Sequence, residues 1–211
     1  FTKLPTSTFT PAVCSPGNVL DWVVANGVVR AITKVANTIY IGGSFTQIGP
    51  RTGHGVPIDV VTGNLIPGFP QVAGGEVRAV VPDGNGGWYI GGDFLYVAGQ
   101  PRNRLAHILA NGALDPVWNP VANSYVYALE IKEGVIYAGG AFTNIGGQVR
   151  NYVAAIDAVT GQVLAWNPNA SSSVNALGIN GNTVYAAGAF TWIGGQTRNY
   201  IAAIDAGNGQ I

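Results

Sequence analysis

The chain repeats itself, and no other feature limits its possible folds as much. Gly42-Gly43-Ser44-Phe45 returns as Gly91-Gly92-Asp93-Phe94, as Gly139-Gly140-Ala141-Phe142 and as Ala187-Gly188-Ala189-Phe190. The steps between the Phe residues are 49, 48 and 48. Residues 126–162 and 174–210 share 24 of 37 aligned positions. A module recurring at a fixed period cannot bury its apolar faces alone, so copies stack and cover one another.

Each unit reads as four short strands, in the third unit over 126–131, 135–142, 152–157 and 163–166. Turn signals divide them: Glu133-Gly134, Gly146-Gly147-Gln148, Thr160-Gly161 and Asn167-Pro168. No stretch carries a helical period. The strands are nearly continuous in apolar character, as expected of sheets covered on both faces. Ala31, Ala79, Ala128 and Ala176 share one phase, and Tyr40, Tyr89, Tyr137 and Tyr185 share another. Small residues facing large ones would let neighbouring sheets interlock. A four-stranded unit of about 48 residues, stacked face to face, predicts an all-β chain folded as a β-propeller. Its units fall at 28–75, 76–124 and 125–173, between partial blades at 1–27 and 174–211. This phase favours an arc of a larger propeller. The alternative is a closed four-bladed ring in which residues 19–23 supply the missing outer strand of the last blade.

Composition narrows the function classes. Ten basic and ten acidic residues cancel, and charged residues make up only 9% of the chain. Nucleic-acid binding and polybasic membrane contact both need surplus Lys and Arg, so neither is expected. No apolar run is long enough for a membrane helix, so no membrane insertion is expected either. The single cysteine, Cys14, cannot form an intrachain disulfide and reads as an incidental thiol. With no Met and Phe1 first, the sequence reads as processed or as a piece of a longer protein.

At these motifs the chain resembles the delta-60 repeat family of β-propellers, whose blades carry GGxFTxIGGxxRN, an Asp before the last strand, and WNP. The likeness is strongest over 126–168 and loosest over 29–70. In that first unit Pro50-Arg51-Thr52-Gly53-His54 replaces Gly-Gln-x-Arg-Asn, and Phe69 replaces Trp. The resemblance implies an extracellular or cell-surface propeller. A second likeness, of Ala155-Ile156-Asp157-Ala158-Val159-Thr160-Gly161 and Trp166 to the docking motif of quinoprotein propellers, fails in register. The Trp there follows the Gly by four positions and here by five, so no quinone-holding residues carry over.

Catalytic and metal-binding patterns are scarce. His54 and His107 sit at different phases, and with one Cys no zinc set is read; no metal and no cofactor are expected. Asp83-Gly84-Asn85-Gly86-Gly87 reads as a hairpin turn rather than a calcium loop. Asp59, Asp157 and Asp205 recur before the last strand, where Asx side chains bond their own backbone. Arg102, Arg150 and Arg198 also share a phase and are expected to pin a loop through carboxylates or carbonyls. The Gly-Gly pairs read as close-approach points between blades. No nucleophile elbow, phosphate loop or dinucleotide fingerprint occurs. What varies between nearly identical blades points to binding: two positions after the repeat Phe stand Gln47, Tyr96 (or Leu95), Asn144 and Trp192. These lie in the loops on one rim, and Trp192 offers a face for a sugar ring or a peptide.

The sequence therefore predicts a non-catalytic module for adhesion, recognition or assembly, with a polysaccharide or a protein as partner. The rest of a larger propeller or a second copy would cover its open faces. The alternatives are a galactose-oxidase-like or glycosidase-like enzyme with its catalytic groups elsewhere, and a structural spacer or filament subunit.

Overall fold

A computed structural model describes residues 26–46, 55–64, 66 and 68–211. Cys14, His54, the strand expected at 19–23 and the candidate Gln47 lie outside the described residues. Among the described residues there is no helix, and hence none long and apolar enough to cross a membrane. The strands form four antiparallel meanders, one per repeat. The first blade holds Val29–Val35, Thr38–Gly43 and Gly55–Asp59; the second, Val77–Pro82, Trp88–Gly92 and Leu105–Ile108. The third holds Val126–Lys132, Val135–Gly140 and Val153–Asp157, and the fourth Val174–Asn180, Thr183–Gly188 and Ile201–Asp205. The first strand of each blade lies against the first strand of the next, so these are the inner strands. The chain is a β-propeller, and among the described residues no closed ring is formed.

The blades differ from expectation in their fourth strand, which shrinks to a single bridge. Ile156 pairs Val163, and Ile108 pairs Leu114. The return is too tight for more. Asp157 Oδ1 accepts the N–H groups of Val159 and Thr160 at 3.0 and 2.7 Å, and the Gly161 N–H donates to the Asp157 carbonyl at 3.0 Å. Two residues beyond the Leu164 N–H, which still donates to Ala155, the chain leaves through Trp166-Asn167-Pro168, where Pro supplies no N–H. The predicted Asx turns are thus present, at Asp59 and Asp205 as well.

The loop between the second and third strands carries a small hairpin instead. Asn144–Ile145 pairs Gln148–Val149 across Gly146 and Gly147, both left-handed at φ 56° and 77°, which a two-residue hairpin turn requires. The segment entering the same blade is tied to this hairpin through Ala122 and Ile145, and in the fourth blade through Ala170 and Ile193. Arg102 and Arg150 anchor the loop as expected, donating to the carbonyls of Asp115 and Leu164 at 2.9 and 2.7 Å.

The core lies between blades. At the first junction Tyr40 and Phe69 meet Val77, Trp88 and Ile90; at the second Tyr89, Leu105 and Trp118 meet Val126, Ile136 and Ala138. At the third Tyr137, Val153 and Trp166 meet Val174, Val184 and Ala186. The two glycines of each repeat serve this packing differently. A Cβ on Gly42, Gly91 or Gly139 would lie 2.4, 2.8 or 2.7 Å from the Cγ1 of Val77, Val126 or Val174, the residue opening the next blade's inner strand. A Cβ on the second glycine would instead strike its own blade: Gly92 meets the Glu76 carbonyl at 1.9 Å and Gly140 the Tyr125 carbonyl at 2.1 Å. Only the first glycine is a close-approach point between blades.

Polar groups lock the same junctions. Tyr89 and Tyr137 donate to the carbonyls of Ala158 and Ala206 in the following blade, at 2.6 and 2.9 Å. The indole N–H groups of Trp118 and Trp166 reach Asp157 and Asp205 carbonyls at 3.1 and 2.9 Å. The first blade lacks both bonds: the Phe69 ring has no N–H to give, and the buried Tyr40 hydroxyl finds no partner among the described residues. The second blade adds a buried clamp. His107, stacked on Tyr89 at 4.2 Å, places Nδ1 2.8 Å from Asp115 and Nε2 3.1 Å from Asp83. Asp83 also caps the Asp83-Gly84-Asn85-Gly86-Gly87 turn through the N–H groups of Asn85 and Gly87, so the expected hairpin is present. Burial acts to raise the Asp115 carboxyl, but the His107 ring and the Val117 and Trp118 N–H groups outweigh it and hold it below the ordinary carboxylate value.

Two outcomes follow for stability. Gly139→Ala is expected to cost about 1–3 kcal/mol by overpacking against Val174, and Val174→Ala in the same chain to recover part of that loss. Gly140→Ala, which meets backbone, is expected to cost more and to gain nothing from Val174→Ala; urea unfolding of the four variants reads all three. Because the Asp115 carboxyl is depressed in the folded state, its contribution is complete above the unfolded value of about 3.9 and is lost as pH falls through the folded value. Asp115→Asn is therefore expected to lower the melting temperature at pH 7 by a few degrees, for about 1 kcal/mol. Thermal melts from pH 7 to pH 3 should show that gap narrowing below about pH 4.

Candidate functional site at the axial mouth

The inner strands open on one pattern: Val29-Arg30-Ala31, Val77-Arg78-Ala79, Val126-Tyr127-Ala128 and Val174-Asn175-Ala176. In each, the Val pairs with the second glycine of the neighbouring strand and the Ala with the residue before it (Gly42, Gly91, Gly139 or Ala187), so the residue between them has no partner. It is a β-bulge, which turns one side chain out of the ladder. The four bulged residues converge. Arg30, Arg78, Tyr127 and Asn175, with Ser173, line one open space of about 570 Å³ where the inner strands meet.

Its electrostatics are set mainly by the second blade. Arg78 lies 3.3 Å from Glu76 and 3.5 Å from Asp93, and Arg30 reaches across from the first blade to pair with the same Glu76. The Glu76 carboxylate therefore bridges two guanidinium groups on adjacent blades. Asp93 is held in turn by the Glu76 N–H at 2.6 Å. The Arg78 guanidinium sits over two rings of the third blade, 5.6 Å from the centre of Tyr125 and 5.9 Å from that of Tyr127, within cation–π range. Tyr125 remains 42% exposed. Two guanidinium groups against two carboxylates leave no net charge. What the mouth presents is planar faces edged by hydrogen-bonding groups.

The residues predicted from the rim hold equivalent places in successive blades. Tyr96, Asn144 and Trp192 each open the first strand of a loop hairpin, and the next residue, Val97, Ile145 or Ile193, is buried. Tyr96 is 46% and Trp192 37% exposed. Because the second strand runs back to the start of the inner strand, these hairpins and the bulges lie on the same side of the blades. None of the three lines the axial space. The bulged residues went unnoticed in the sequence, although the signal was of the kind already sought: between near-identical repeats, V-x-A holds Arg, Arg, Tyr and Asn in its middle position.

Comparison with known proteins agrees with this architecture. Residues 84–116, 134–157 and 182–211 match the family model described as a domain of unknown function (DUF5122) beta-propeller. No curated protein matches the chain. Among solved structures, the computationally designed Ika4 protein is similar with a TM-score of 0.61 at 17% identity, over 90% of this chain and 99% of that one. The computationally designed Ika8 protein is similar with a TM-score of 0.55, also at 17% identity, over 83% of this chain and 45% of that one. At such identity the likeness is one of fold, and the segments matched by the family model fall in the second, third and fourth blades, each spanning that blade's second and third strands.

Proposed function

We propose that this propeller is a non-catalytic recognition module that binds a neutral polysaccharide segment at its axial mouth. The observation that carries the reading is the convergence of the four bulged residues, which differ between blades whose scaffold is nearly constant. A sugar offers an apolar ring face and a belt of hydroxyl groups. Tyr125 and Tyr127 supply the face for stacking; the edges of Arg30, Arg78, Glu76 and Asn175 supply donors and acceptors. The absence of net charge in the mouth fits an uncharged ligand better than a polyanion. Both carboxylates are already occupied by guanidinium groups, which suits holding a ligand rather than hydrolysing it. The exposed faces of Tyr96 and Trp192 lie on the same side and extend the surface along which a chain can run. The sparse charge and the resemblance to secreted propellers favour action outside the cell or at its surface.

A glycan array followed by calorimetric titration tests this. Retention of at least one neutral glycan is expected, with Arg78→Ala and Tyr127→Ala each weakening it about tenfold or more and Trp192→Ala less. An array without signal, or affinity unmoved by both mouth substitutions, removes the proposal.

A further inference from the structure

The junction between the first and second blades is packed differently from the other two, and the difference leaves a cavity. At the second junction the Tyr89 hydroxyl donates to the Ala158 carbonyl and the Trp118 ring N–H to that of Asp157; Tyr137 and Trp166 repeat both bonds at the third. The counterparts of those two carbonyls at the first junction belong to Ala110 and Leu109, and neither receives such a bond. Phe69 stands in the place of Trp118 and Trp166. Tyr40 turns away, its hydroxyl lying beside Gly55 where a Cβ on that glycine would stand. Two exchanges account for the turn. Gly55 takes the place of Leu105 and Val153, which makes room for the hydroxyl. Trp88 takes the place of Ile136 and Val184, and its ring lies 5.7 Å from that of Tyr40.

What remains is a cavity of about 140 Å³ between the two blades, reaching the surface beside Gly86 and Asn111. Phe69, Trp88 and Ile66 form its apolar part, and Leu109, Ala110 and Asn111 its polar edge. Among the described residues the Leu109 carbonyl accepts only the Gly112 N–H, at 2.8 Å, and nothing donates to the Ala110 carbonyl. Ala158 and Ala206 are buried, whereas Ala110 is exposed. We propose that this cavity binds a small phenol, one aromatic ring bearing a hydroxyl group. The size fits, since a cavity of about 150 Å³ lined by aliphatic and aromatic side chains takes one benzene ring. The chemistry fits as well. Phe69 and Trp88 offer ring faces and edges, and the free carbonyls are the acceptors that Tyr hydroxyls and Trp N–H groups fill at the other junctions. A phenol completes the first junction with the ring and the donor that Tyr89 and Tyr137 bring to theirs. A ring without a donor would strip water from the Ala110 carbonyl and give nothing back. An ion finds no counter-charge, because no lining residue is charged. The cavity lies at the turns between first and second strands, at the opposite end of the blades from the bulges, and shares no residue with the axial mouth.

Titration of the whole chain with phenol, followed by calorimetry and by nitrogen–proton correlation NMR, tests this. Saturable binding with a Kd of about 1 mM or tighter is expected, with the largest amide shifts at Gly86, Asn111 and Gly112. Anisole keeps the ring and loses the O–H, and should bind about 2- to 10-fold more weakly. Phe69→Trp restores the residue of the other blades. It should fill the cavity, weaken phenol binding at least tenfold and raise the melting temperature by about 2–4 °C through the regained N–H bond to Leu109. Binding that does not saturate, shifts centred elsewhere (the mouth included), or equal affinity for anisole overturns the proposal. Those three readings need only the wild-type chain, so they decide the matter even where the variant fails to fold. A folded Phe69→Trp chain with unchanged phenol affinity overturns it too.

Discussion

The structure depends on how closely one blade can approach the next. At three junctions a glycine in the second strand of one blade meets a valine at the start of the inner strand of its neighbour, at separations that leave no room for a Cβ. Everything else in the junction follows from that spacing. It brings Tyr89 and Tyr137 under the following sheet, within reach of a carbonyl at the far end of the third strand. It buries Trp118 and Trp166 so that their ring nitrogens meet the next backbone. At the second and third junctions the Tyr hydroxyls and Trp ring N–H groups all find acceptors, so close packing there does not orphan them. The first junction shows the same packing without the locks. Phe69 and Tyr40 meet at 5.0 Å with their rings tilted by 51°, but neither side chain donates forward.

The neighbouring glycine links this packing to the proposed binding site. Its missing Cβ lets the carbonyl before the inner strand come against the second strand, and the strand then bulges over one residue. The bulged side chain takes no part in either face of the blade. It is therefore free of the packing constraint that fixes its neighbours, and can be Arg, Tyr or Asn without disturbing the core. One structural device thus makes the scaffold constant and the mouth variable.

The residues that pack were legible in the sequence because packing is periodic. The recurrence of Gly-Gly-x-Phe, the Tyr and Ala phases and the turn residues gave the blades, their order and the covered faces. The Asx turns at Asp59, Asp157 and Asp205 and the Arg anchors of the loops were legible for the same reason. The fourth strand was overestimated because Val163 to Trp166 has strand-like side chains, whereas its length is set by the turn at Asp157 and by Pro168. The mouth was missed because side chains that meet across the axis are about 48 residues apart in sequence and share no composition. Variation among repeats marked both the rim at Trp192 and the mouth at Tyr127. Only the register of the bulge shows which of the two converges.

The same logic explains why the ends of the arc differ from its interior in kind as well as in exposure. Inside the arc, a junction forms within one chain, so a glycine can be required at the contact and the locks can be permanent. At the fourth blade the first glycine is replaced by Ala187, although the second, which serves the bulge, is kept as Gly188. The bulge and its Asn175 are thus preserved where the tight junction is not. A face that carries Tyr185 and Ile201 beside Ala187 keeps the side chains of the internal junction without the glycine that sets its closeness.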